Sequence, residues 1–264
     1  MLEMRGACSV ETLARELGVC DMTVRRDLQY LQEAGRLIRT HGGAAPTAQV
    51  VFEFQFLRRV RQNQAQKDQI GAEAARLIGE RRTILLDSGT TTLALANHLR
   101  SLRGLTVITT SLPIASMFQH TAEIQTLLLG GFVRRDTPDL GGPLTESNLD
   151  NLRADLAFVG ADGIDLQGNI YNGSIEIGRM LEKMLRCATD AYVVADSSKI
   201  GQTALMQYGN LSALRGLITD SRISAEQLDA LTRAGARVIV AADSAHQDQP
   251  NHDSHRNTVG AGHV

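Results

Sequence analysis

The apolar run Thr83-Ile84-Leu85-Leu86-Asp87 leads into Ser88-Gly89-Thr90-Thr91-Thr92 and then into a Leu- and Ala-rich helical stretch. A strand end, a glycine turn and a helix N-terminus together suit an anion. Main-chain N–H groups point outward there, the helix dipole is positive, and the hydroxyls add donors. The spacing is neither that of a Walker A loop nor that of a dinucleotide fingerprint. Simple capping of the helix by Ser or Thr uses the same residue types, so the run needs company to count as a site. It has company at the ends of other apolar runs: Thr110-Ser111, then Gly130-Gly131 with Arg134 and Arg135 beyond, then Gly160-Ala161-Asp162-Gly163-Ile164-Asp165, then Asp196-Ser197-Ser198-Lys199. In open α/β sheets ligands gather outside the carboxyl ends of the strands. These ends therefore converge on one polar rim.

A second chemistry lies near the N-terminus. Val10, Leu13, Ala14 and Leu17 make one apolar stripe of a short helix over 9–18, which Ser9 can cap and Gly18 can end. After a four-residue turn, Asp21 can cap a second helix running to about Ala34. Its inner face is Val24, Leu28 and Leu31, and Gly35 stops it. Two short helices over a tight turn form the helix-turn-helix pattern, in which the second helix enters the major groove. Met22, Thr23, Arg25, Arg26 and Gln29 then project outward. Arginine grips guanine O6 and N7 bidentately, while Thr and Gln read base edges or phosphates. Arg36, Arg39 and His41 lie in a strand-like run over 36–41, broken by Gly42-Gly43, and are placed to act as a wing on the DNA backbone. An ordinary helical hairpin with solvated arginines shares this pattern.

The elements that must hold these groups follow from texture. Short apolar runs at 83–87, 106–110, 124–129, 156–160, 191–195, 217–219 and 237–241 alternate with helical patterns, as in a parallel sheet with crossover helices. A helix carrying Ile70, Ala74, Leu77 and Ile78 precedes them. We read 1–45 as the DNA-binding unit, 46–63 as a linker, 64–242 as one α/β domain and 243–264 as a disordered polar tail holding four of the seven His. In the linker Phe52, Phe54 and Phe56 alternate; this fits either a strand docked on another surface or a partly ordered connector. The chain is 43% hydrophobic but only 4% aromatic and has no Trp, so its core must be aliphatic, which suits buried parallel strands. Residues 1–45 carry six Arg against six acids, so DNA binding must rest on a local Arg face. No apolar run approaches the roughly 20 residues of a membrane span. Cys8, Cys20 and Cys187 form no Cys-x-x-Cys pair, which speaks against a zinc site or disulfide framework and fits a cytoplasmic protein.

The string Thr-Val-Arg-Arg-Asp-Leu at 23–28, followed by Gly35-Arg36-Leu37 and Thr40-His41-Gly42-Gly43-Ala44, resembles the N-terminal domain of the DeoR family of bacterial repressors. LDSGTTTLALA (86–96), GADGID (160–165) and ADSSKIG (195–201) resemble that family's effector domain, in the same order. The resemblance runs from about residue 8 to 242. It implies an α/β protein: a small winged helix-turn-helix with its motif at about 8–27, and a larger Rossmann-like, mostly parallel domain related to ribose-5-phosphate isomerase. It further implies a regulator, by the family's habit a repressor of sugar-metabolism genes, that binds double-stranded operator DNA as a dimer or tetramer. A sugar phosphate would modulate it, and no cofactor or metal is implied. By the same resemblance residues 88–92 hold phosphate, Asp162 and Asp165 meet sugar hydroxyls, and Lys199 neutralises charge. Asp87, Ser111 and Gly131 complete the candidate effector set. The sequence departs from the family pattern in three places. Only Met1 to about Gly6 stands where the family has a full first helix. Thr110 replaces a common Asn, and Leu181-Glu182 replaces a Lys-Arg pair, with Arg179 and Lys183 nearby. The alternative function is a sugar-phosphate isomerase, whose proton transfer would need a carboxylate base and an oxyanion stabiliser. Asp162, Glu176 or Glu182, and Lys199 are the groups available for it.

Overall fold

The computed structural model describes residues 2–40, 42–47, 56–80, 82–135 and 137–242. The N-terminal unit is built from α1 (Leu2–Arg5), β1 (Cys8–Ser9), α2 (Val10–Leu17), α3 (Asp21–Glu33), β2 (Leu37–Thr40) and β3 (Gly43–Pro46). Ser9 caps α2, its hydroxyl accepting from the Thr12 N–H at 3.1 Å. Gly18 closes α2 in the left-handed region at φ 67°, a conformation that costs glycine nothing. Val10, Leu13, Ala14, Val24, Leu28, Leu37 and Ala44 pack into one small core. Leu17 and Leu31, expected on the inner faces, stand 59% and 38% exposed, because one layer of side chains already fills that core. Asp21 is the first residue of α3 and not its cap; Cys20 occupies the cap position with no side-chain cap bond, its Sγ meeting the Thr23 hydroxyl instead. The run over 36–41 extends past Gly42 into a hairpin: β2 pairs antiparallel with β3, Leu37 opposite Pro46 and Thr40 opposite Gly43.

The larger domain opens with α4 (Gln64–Arg76), β4 (Thr83–Leu86), α5 (Thr90–His98), β5 (Leu105–Thr109), α6 (Leu112–Phe118) and β6 (Ile124–Leu128). An excursion follows: β7 (Phe132–Val133), β8 (Leu140–Gly141) and α7 (Pro143–Leu149). The chain then returns through β9 (Ala154–Val159), β10 (Gly163–Ile164), β11 (Asn169–Asn172), α8 (Ile175–Cys187), β12 (Ala188–Val194), β13 (Met206–Asn210), β14 (Gly216–Thr219), α9 (Ala225–Arg233) and β15 (Val238–Val240).

All seven apolar runs pair into one parallel sheet, ordered β15-β14-β12-β9-β4-β5-β6. The period of two sorts its side chains by face. Ile84, Leu86, Val107 and Phe158 pack with α4, α5 and α6, while Leu85, Ile108, Ala157 and Val159 pack with α8. Where α4 crosses α5 the backbones nearly touch: a Cβ on Gly71 would stand 2.8 Å from the Leu95 nitrogen. Phe158 and Tyr192 stack at 5.5 Å on the same side. Strand order reverses between β4 and β9, since the chain runs outward from β4 to β6 and then returns to build the other side. Such a switch point leaves a crevice at the carboxyl edge. Residues 56–61, within the expected linker, are helical, whereas Phe52 and Phe54 lie outside the described residues, as do 243–264. No helix among the described residues is long and apolar enough to cross a membrane.

Candidate functional site

A cleft of about 300 Å³ opens at the β4/β9 switch point. Asp87, Ser88, Gly89, Thr90 and Thr91 form one wall. Gly89 is the cap residue of α5 and has no side chain to offer, and no side-chain cap closes that helix. The first N–H groups of α5 thus face the cleft unscreened by a cap. Asp87 shapes the loop instead of reaching outward. Its Oδ1 accepts from Gly89 N at 2.8 Å and Thr92 Oγ1 at 2.5 Å, and its Oδ2 accepts from Gly160 N at 2.7 Å. The last bond staples β4 to β9 across the switch point. Burial pushes this carboxyl above its ordinary range, against the pull of the three donors. Thr92, fully buried, serves the same clasp and does not line the cleft.

The other walls come from strand ends and from the excursion. Gly160, Ala161 and Asp162 follow β9, and Asp196, Ser198 and Lys199 follow β12. Asp162 accepts from Gly173 N at 2.9 Å. Tyr208, buried below, donates to the Gly160 carbonyl at 2.6 Å and fixes that turn; burial first, then the charges of Asp87 and Asp162, hold its phenol well above the ordinary range. Arg134 and Thr137 arrive from the β7–β8 hairpin. Fully buried Asp139 organises them: it accepts from Ser88 Oγ, from Thr137 Oγ1 at 2.7 Å and from Arg134 at 3.4 Å. The floor is apolar, made by Ile177, Met180 and Leu181 of α8. Leu181 thus puts a methyl-bearing surface in the cleft.

Besides Thr92, three expected effector residues are elsewhere. Asp165 turns back on its own hairpin, accepting from Gln167 N, Asn169 N, Asn169 Nδ2 and Tyr171 Oη at 2.8–2.9 Å. Burial raises its pKa, but these donors outweigh burial and hold it below the usual carboxylate range. Ser111 is buried and caps α6, its hydroxyl accepting from Ile114 N. Gly131 packs against Thr145 and Gly141. Both support the hairpin that carries Arg134 without lining the cleft themselves. Sequence reasoning missed Arg59, Gln62, Lys67, Thr137, Asn172 and Ser174 among the lining residues. Of the acids an isomerase would need, Asp162 lines the cleft. Glu176 is not among its lining residues, and Glu182 pairs with Arg186.

On α3, Val24 and Leu28 are buried while Arg25, Arg26 and Gln29 are exposed and Met22 is 74% exposed. Thr23 is half-buried, its hydroxyl 3.3 Å from Cys20 Sγ. Gln29 donates to Glu33 at 3.1 Å. Arg36 and Arg39 are exposed beside the hairpin, and His41 lies outside the described residues.

The DeoR-like helix-turn-helix domain family matches residues 1–50, and the DeoR C terminal sensor domain family matches 62–221. The HTH-type transcriptional repressor GlcR of Bacillus subtilis is 33% identical over 240 residues, 90% of this chain and 92% of that protein. The HTH-type transcriptional regulator GlpR of Haloferax volcanii is 31% identical over 88% of this chain and 90% of its own length. The lactose phosphotransferase system repressor of Lactococcus lactis is 32% identical over 87% and 91%. Among solved structures, ribose 5-phosphate isomerase A from Neisseria gonorrhoeae aligns with a TM-score of 0.39 and 14% identity over 54% of this chain and 55% of that one. With both of its domains matched and relatives at this identity over nearly its whole length, the chain belongs to the DeoR family of DNA-binding transcriptional regulators.

Proposed function

We propose that the chain represses genes of sugar metabolism from an operator read by α3, and that a phosphorylated sugar in the cleft alters its hold on that operator. The observation that carries the reading is the uncapped start of α5, opening on a cleft that also presents Lys199 and Arg134. Exposed amides, a positive dipole end and two cations favour a dianion. Met22, Thr23, Arg25, Arg26 and Gln29 would meet base edges and phosphates, with Arg36, Arg39 and His41 on the backbone. A dimer or tetramer would set two copies of α3 on successive half-sites. The cytoplasm would be its compartment.

The test uses an operator selected from random duplexes and read by fluorescence anisotropy with a panel of sugar phosphates and their unphosphorylated parents. One phosphosugar should shift operator affinity by about 5- to 150-fold, the usual span of coupling between sites, and its parent sugar should not. Arg25→Ala or Arg26→Ala should cost about 1–3 kcal/mol of operator binding where the side chain contacts a base. If no phosphosugar alters operator affinity, the sensor reading falls.

A further inference from the structure

Part of the cleft wall comes from outside the sensor domain. Arg59 lies between the two family matches, which end at residue 50 and begin at 62, yet it lines the cleft together with Gln62. Lys67 of α4 ties this stretch down. Its side chain is almost fully buried, and its ammonium donates to the carbonyls of Arg59 and Gln62, the latter at 2.8 Å. Asn63 follows with φ 52°, and its amide donates to Asp196 Oδ1 at 2.9 Å and to Ser198 Oγ at 3.4 Å, on the turn that also carries Lys199. Residues 59–63 are therefore fastened to the rim of the cleft by two side chains.

An ammonium has three donors, and two of Lys67's are spent on these carbonyls. The group also stands close to two other cations, Lys199 and Arg59, at the same cleft. Burial first, then repulsion from Lys199 and Arg59, depress its pKa against the pull of Asp196. An anion in the cleft would be in reach of Lys67, Lys199 and Arg59 together, since all three line it.

We propose that the anionic effector contacts Lys67 and Arg59 as well as the start of α5, and so locks residues 59–63 onto the sensor domain. The segment that leads to the DNA-binding unit is thus part of the binding site, and occupancy is passed on by tightening it. By linkage, any operator complex that loosens the segment weakens the effector by the same factor. This inference rests on the phosphosugar reading above.

Hydrogen exchange on the full chain tests it, with inorganic phosphate and ribose 5-phosphate as probes and thermal shift as the independent measure of binding. In the wild type a probe that raises Tm should slow exchange over residues 56–63 by on the order of fivefold or more. Lys67→Met should bind the probe more weakly and show no slowing, and Lys67→Arg, which keeps the charge, should restore it. Arg59→Ala, on the exposed segment, should weaken probe binding even if Lys67→Met fails to fold. A Tm shift with unchanged exchange over 56–63, wild-type slowing in Lys67→Met, or unchanged affinity in Arg59→Ala overturns the proposal. Absence of a Tm shift in the wild type with these probes and with every sugar phosphate of the panel above takes the phosphosugar reading down with it.

Discussion

In the DNA-binding unit eight buried residues between Cys8 and Ala44 carry the fold, and the side chains offered to DNA stand outside that core in solvent. In the sensor domain the groups that shape the cleft are themselves interior. Asp87 and Asp139 are buried, and each is held by several donors before any ligand arrives. The exposed side chains of α3 are not packed into a core, and Gln29 bonds along its own helix, to Glu33. The cleft is set in advance, which keeps the ordering cost of binding low. Fold and function are therefore separable on α3 and inseparable at the β4/β9 switch point.

The strongest challenge to that contrast is Leu28→Ala. Truncating a fully packed leucine costs about 2–5 kcal/mol, a large share of the margin of so small a core. Calorimetry should show the N-terminal unit melting early while the sensor transition keeps its temperature. Equal losses in both transitions would mean one cooperative block and end the comparison. Next in size is Asp87→Asn. The new amide sets an N–H against the Gly160 N–H, and a buried donor left without an acceptor costs about 1–3 kcal/mol. Sensor stability and ligand-induced stabilisation should fall together, with operator affinity of the unliganded protein unchanged; loss of only one of the two would separate structure from site. The smallest effect sharpens the same point at Asp165. Its folded pKa lies below the ordinary carboxylate value, so the fold favours the charged form. The stability it contributes is present above the unfolded value and is lost as pH falls through the folded one. Asp165→Asn should flatten the acid limb of the Tm profile below the ordinary carboxylate range without changing ligand binding, because its carboxylate faces its own hairpin.

The same contrast governs what the residues betray in advance. Each strand of the main sheet is a short aliphatic run, and buried parallel strands cannot disguise themselves. The exposed arginines of α3 are equally plain, since Val24 and Leu28 fix which way they point. The two-stranded sheet is not legible: Phe132–Val133 and Leu140–Gly141 are two residues each, too short for any period to show. Asp165 sits in a motif that looks like a ligand site, but an Asp followed by Gln167-Gly168-Asn169 can also satisfy itself on its own turn. Lys67 was hidden by its type, because lysines are normally solvated. Its position did carry a signal: it precedes Ile70, Gly71 and Ala74 by three, four and seven residues, the spacing of a buried face. Arg59 had no such signal, because its place in the wall depends on contacts made far along the chain.

The crossing at Gly71 has a mechanical consequence. At that crossing backbone abuts backbone with no side chain between, so α4 and α5 resist sliding past each other there. The start of α5 lines the cleft, and so does Lys67 of α4, whose ammonium holds the carbonyls of residues 59 and 62.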